Sequence, residues 1–82
     1  MAKFVDHHAT TPMPPEMAQA VVEKLKSGQA DQFDVTGVNA FVGATDTWCL
    51  SEAISADAVH KSHEAMGINL GAGDVQEVQA LV

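Results

Sequence analysis

The residues of this chain whose types and spacing could do chemistry are its four histidines and the carboxylates beside them. His60, His63 and Glu64 fall in one stretch, residues 56 to 66, whose apolar spacing predicts a helix. Side chains three and four residues apart are neighbours on a helix, so two imidazoles and a carboxylate can converge there on one ion. His7 and His8 are adjacent near the amino terminus and follow Asp6. Imidazole with carboxylate suits nickel, zinc, copper or cobalt, and the absence of a paired-cysteine motif argues against a structural zinc site. Each residue also has a plainer reading. His63 on a half-buried stripe reads as a hydrogen-bonded core histidine, His60 with Glu64 as a solvated pair, and Cys49 as a small apolar filler in a strand. What favours the metal reading is coincidence: all the histidines lie in two short groups, each beside a carboxylate, on an acidic protein.

The elements that must position these groups can be read from periodicity. Residues 2 to 8 alternate, with Phe4, Asp6 and His8 on one face of a strand and Lys3, Val5 and His7 on the other. While that strand stays regular, His7 and His8 point to opposite sides. Pro12, Pro14 and Pro15 break the strand and pre-set a helix over 14–27, whose stripe is Met17, Val21 and Leu25 with Ala18 and Val22 beside them. A second strand over 32–42 changes phase at Thr36 and Gly37, which predicts a bulge or break. A third, 47–53, sends Trp48 and Leu50 one way and Cys49 the other. Ser55 is placed to cap the second helix and Gly67 to close it, with Ala56, Val59, His63 and Met66 as the buried stripe. Val78, Ala80 and Val82 alternate in a last strand over 74–82.

Strand, helix, strand, strand, helix, strand is the order of a ferredoxin-like α+β domain: a four-stranded antiparallel sheet with both helices on one face, over residues 1–82. The first and third strands are expected side by side and parallel, so that Asp6, His7 and His8 approach Glu52 and the start of the second helix. The other sheet face lacks helices, and covering it with a second copy predicts a homodimer. A chain of 82 residues buries only about 60 to 65 percent of its unfolded surface, which points the same way.

Composition narrows the partners. Four lysines and no arginine stand against eleven carboxylates, a formal net charge of −7. That excludes a basic nucleic-acid face and favours a cation or a basic partner, beside the simpler role of keeping a small protein soluble. One cysteine excludes an internal disulfide and fits a reducing compartment. The start lacks a signal-peptide run and no stretch approaches a membrane span, so a cytoplasmic protein is expected. Catalysis has little behind it. Cys49 and His63 could be drawn as nucleophile and base, but no orienting third group, phosphate loop or nucleophile elbow accompanies them. The rival class is a ferredoxin-like dimer that holds a small organic ligand or acts as a cofactor-free oxygenase.

Asp6-His7-His8, then Trp48-Cys49-Leu50-Ser51-Glu52-Ala53, then Ala58 through Gly67 resemble the small nickel-binding proteins of ferredoxin-like fold, once filed as a domain of unknown function. The resemblance covers the whole chain in length and element order. It implies a dimer that holds Ni2+ through surface histidines and carboxylates, in metal handling rather than catalysis; reversible binding of nickel or a similar divalent ion for storage, buffering or detoxification is the expected role. Carried over residue by residue it points to His7, His8, His63 and Glu64, with His60 added by geometry. The chain departs from the family pattern at Met66, where a second histidine is expected, and at Ser62, which separates His63 from the preceding part of the motif.

Overall fold

Alternation over the first nine positions becomes strand β1 (Ala2–Ala9), and the prolines that follow it open helix α1 (Pro15–Ser27). The chain continues through β2 (Thr36–Val42), β3 (Asp46–Ala53), α2 (Ala56–Ala65) and β4 (Val75–Val78) in a computed structural model that describes residues 1–81. The element order is the expected one, and Val82, placed by periodicity at the end of the last strand, lies outside the described residues. Gly28 closes α1 in the left-handed conformation at φ 66°, and Gly67 takes φ 79° just after α2, as helix ends favour. Ser55 caps α2 by accepting from the Ala58 N–H at 3.2 Å.

Two strands are shorter than alternation suggests. β2 starts at Thr36 because Asp31 Oδ1 accepts the N–H groups of Phe33 and Val35, at 2.9 and 3.1 Å, and folds the preceding residues into a turn. The predicted phase change is a register shift between Gly37 and Asn39. β4 stops at Val78 because its register against β1 runs out there, with Lys3 opposite Val78.

The sheet order is β2-β3-β1-β4 and every neighbouring pair is antiparallel. Four antiparallel strands with two helices make an α+β fold compatible with the ferredoxin-like arrangement. The expectation of parallel first and third strands is corrected: Ala2 lies opposite Ala53 and Ala9 opposite Asp46. The crossover through α1 makes β2 parallel to β1, and the hairpin then reverses β3 against both. Glu52 is accordingly far along the strand from the histidines and takes Lys3 Nζ at 3.1 Å. The same reversal starts α2 at the Ala2 end of the sheet and runs it back, so its last turn, not its first, meets Asp6 and His8.

The core is Phe4, Val35, Ala53, Ala58, Val59 and Val75. α2 buries Ala58, Val59, Ser62 and His63, two adjacent columns of one helical face. This corrects the expected stripe at its ends, since Ala56 is half-buried and Met66, already at the cap, is 61% exposed. α1 buries no residue fully. Its Leu25 lies over Gly37, where an added Cβ would sit 2.8 Å from Leu25 Cδ2, so the helix approaches the sheet where a side chain is missing. An apolar groove of about 450 Å³ remains between α1 and β2, lined by Met13, Val21, Val22, Leu25, Val38 and Val42 among others. The opposite sheet face carries His7, Trp48 and Phe41 in register across three strands, with Trp48 45% and Phe41 58% exposed. Among the described residues no helix is long and apolar enough to cross a membrane.

Candidate metal centre

Period-two alternation puts Asp6 and His8 on the helix-covered face of β1, and strand pairing sets Cys49 directly opposite Asp6. The last turn of α2 lowers His63 onto the same spot. One ligand atom from each of Asp6, His8, Cys49 and His63 lies within 4.8 Å of all the others. Asp6 and His63 are buried, at 0% and 4% exposure, whereas His8 and Cys49 are half-buried and face the solvent side.

Backbone carbonyls aim both imidazoles. His8 Nδ1 is 2.8 Å from the Ala9 carbonyl and His63 Nδ1 is 2.9 Å from the Val59 carbonyl. A carbonyl only accepts, so each Nδ1 carries a proton and donates it, and each Nε2 turns inward. This is the outer-shell pattern that fixes the tautomer of a metal-bound histidine. His8 Nε2 is 3.9 Å from Cys49 Sγ, and His63 Nε2 is 3.2 Å from Asp6 Oδ1.

Asp6 is the anomaly in this group. Among the described residues neither of its carboxylate oxygens accepts a well-directed hydrogen bond, although both are buried. His63 Nε2, at 3.2 Å, is the one group within ion-pair distance of Oδ1 among the described residues. A fully buried, donor-free carboxylate is unfavourable by several kcal/mol in order of magnitude unless a positive charge faces it. In the metal-free protein that charge is His63. Burial of its ring opposes the charged form, but Asp6, Cys49 and the Val59 carbonyl outweigh it and push the imidazole up to about 10. A divalent cation would meet the same need. Two neutral imidazoles, one carboxylate and one thiolate carry a charge that cancels a 2+ ion, so a loaded site leaves no net charge in the interior.

Of the five residues singled out by spacing and resemblance, the structure brings His8 and His63 into this cluster and not His7, His60 or Glu64. β1 stays regular through Ala9, so His7 points to the open face, where its Nε2 is 2.9 Å from Asp46 Oδ1 and its ring stacks on Trp48 at 5.1 Å. The Thr45 hydroxyl and His7 together hold the Asp46 carboxyl below its usual range. His60 is half-buried and Glu64 exposed, because α2 turns its Val59 and His63 column to the sheet. Asp6 and Cys49 take their place. Alternation already put Asp6 beside His8 and turned Cys49 away from Trp48, but only the register shows that these two face one another.

Comparison of the chain with protein-family models, with curated proteins and with solved structures found no match.

Proposed function

We propose that this protein reversibly holds a divalent transition ion on Asp6, His8, Cys49 and His63, and serves metal storage, buffering or detoxification rather than catalysis. The observation that carries the reading is the buried carboxylate of Asp6, without a donor of its own, facing a thiol and two imidazoles whose tautomers are set from outside. Four protein donors would be enough to fill a four-coordinate shell, as in sites that hold metal rather than use it. Nickel is the first candidate on the resemblance of the motifs, and thiolate with imidazole makes zinc, cobalt and copper its competitors. A ferredoxin-like homodimer closed over the Trp48 and Phe41 face, in a reducing cytoplasm that keeps Cys49 free, is the form we assign to it.

Calorimetric titration of Ni2+ into the wild type and into a His8→Ala, His63→Ala double variant tests the reading. Saturable binding near one ion per chain, lost in the variant, is the expected result; equal heats for both proteins would overturn it. Co2+ adds a spectroscopic check, because a tetrahedral ion with a thiolate ligand gives a sulfur-to-metal charge-transfer band that Cys49→Ser removes. The apolar groove between α1 and β2 favours a second reading, an organic-ligand protein. That reading predicts ligand binding unchanged by the double variant and abolished by filling the groove, as with Ala40→Phe.

A further inference from the structure

The four ligands are unequal in one respect that bears on how metal leaves. Asp6 and His63 are closed off from solvent, while Cys49 and His8 form the half-buried, outer side of the cluster. Cys49 is also the chain's only cysteine. Of the four donors its sulfur is the one whose charge a mild oxidant changes, and it is the one on the accessible side.

We propose, resting on the metal site above, that the site is gated by oxidation: the Cys49 sulfur is oxidised by hydrogen peroxide and the ion is released. A bound divalent ion keeps the sulfur as thiolate, the nucleophilic form. The thiolate sulfur attacks one peroxide oxygen, an S–O bond forms as the O–O bond breaks, and hydroxide leaves. Sulfur is oxidised by two electrons to the sulfenic acid and the peroxide is reduced by the same two. The cluster then has one anionic donor instead of two, so a retained 2+ ion would leave a net positive charge against the core, and that imbalance drives the ion out. With no second cysteine the sulfenic acid cannot close an internal disulfide. A low-molecular-weight thiol therefore condenses with it, releasing water and leaving a mixed disulfide; a second thiol, as thiolate, attacks the outer sulfur of that disulfide, departs as the small-molecule disulfide and frees the Cys49 thiolate. The cycle returns the protein to a metal-binding form, which suits a store that gives up its ion under oxidative conditions and refills when thiols recover.

The test uses protein loaded with Ni2+ and, in parallel, Zn2+, with a chromophoric chelator reporting free metal. Failure to load counts against the metal reading itself and is scored before any oxidant is added. Hydrogen peroxide at a small excess should release about one ion per chain in step with trapping of a sulfenic acid on the Cys49 peptide by a dimedone-type reagent. Later addition of glutathione should restore binding. The Cys49→Asp variant keeps an anionic donor that peroxide does not oxidise, and should hold its ion at least about tenfold longer under the same treatment. Loaded wild type that keeps its metal while Cys49 is oxidised would overturn the inference. So would release from Cys49→Asp as fast as from wild type, which would place the oxidation at the methionines. If Cys49→Asp fails to load, the tracking of release with sulfenic acid and its reversal by glutathione decide the matter in the wild type alone.

Discussion

At the scale of single residues, Asp6 explains most of what is unusual here. Among the described residues, the carboxylate of Asp6, at 0% exposure, has only His63 facing it in the metal-free protein. Replacing His63 with alanine should destabilise that protein by about 3 kcal/mol, because it leaves an uncompensated buried charge, and the Asp6→Asn, His63→Leu double variant should recover much of the loss. Chemical denaturation of the three proteins checks this. The pH dependence follows from the direction of the shift. The His63 imidazole is raised from 6.5 to about 10, so its contribution to folding is fully present below 6.5 and is lost as pH rises through 10. The metal-free protein should therefore become less stable between those limits, and the His63→Leu, Asp6→Asn protein should lack that slope. Metal has to displace the same proton, so affinity should rise with pH across that window. Nickel titrations at pH 6 and pH 8 that gave equal affinity would contradict this. Single replacement of His7 or His60 by alanine should leave binding within a factor of about two, whereas His8→Ala should weaken it by at least about 100-fold.

At the scale of elements, α2 is the part that has to be held still. Its amino end is fixed by Ser55, and its middle by Ser62, whose hydroxyl donates to Asp31. Asp31 also accepts from Phe33 and Val35, and those contacts hold its carboxyl below its usual range against the opposing effect of burial. The adjacent residue, His63, depends on this buckle for its height above the sheet. Asp31→Ala should weaken metal binding by about 10-fold to 100-fold while leaving all four ligands present, the effect expected of an outer positioning group. Calorimetry of the variant, with circular dichroism to show that the helices persist, would check it. Ser55→Ala should cost about 1 kcal/mol of stability through the lost cap. α1 makes a contrast: its stripe rests on β2 around Gly37 and buries no side chain fully, so polar replacements such as Val22→Gln should change stability by less than about 0.5 kcal/mol.

At the scale of the whole molecule, the two sheet faces divide the work. The helix-covered face holds the core and the ligand cluster. The open face carries His7, Trp48 and Phe41 in one row, with Lys3 paired to Glu52 and the His7 ring 2.9 Å from Asp46 Oδ1. The exposed Trp48 and Phe41 make this face the one on which the proposed homodimer is tested. Light scattering should give twice the chain mass for the wild type, and Trp48→Lys with Phe41→Lys should reduce it to the monomer value without loss of metal binding. A monomeric wild type would remove the dimer from the proposal and leave the ligand cluster intact, since all four residues come from one chain.

The amino-acid sequence by itself determined the order of strands and helices, the caps at Ser55 and Gly67, and the faces of β1 and β3. Alternation and helical spacing are local properties, and Asp6 with His8, or Cys49 opposed to Trp48, need no partner to be read. It also marked histidines as the residues to follow. Only the tertiary structure decided which of them meet. The antiparallel pairing of β1 with β3 set Asp6 against Cys49 and carried Glu52 away, and the return of α2 along the sheet chose His63 over His60 and Glu64. Register and helix rotation are settled by contacts between residues more than forty positions apart, as in the pairing of Asp6 with Cys49, and no periodicity within one segment contains them.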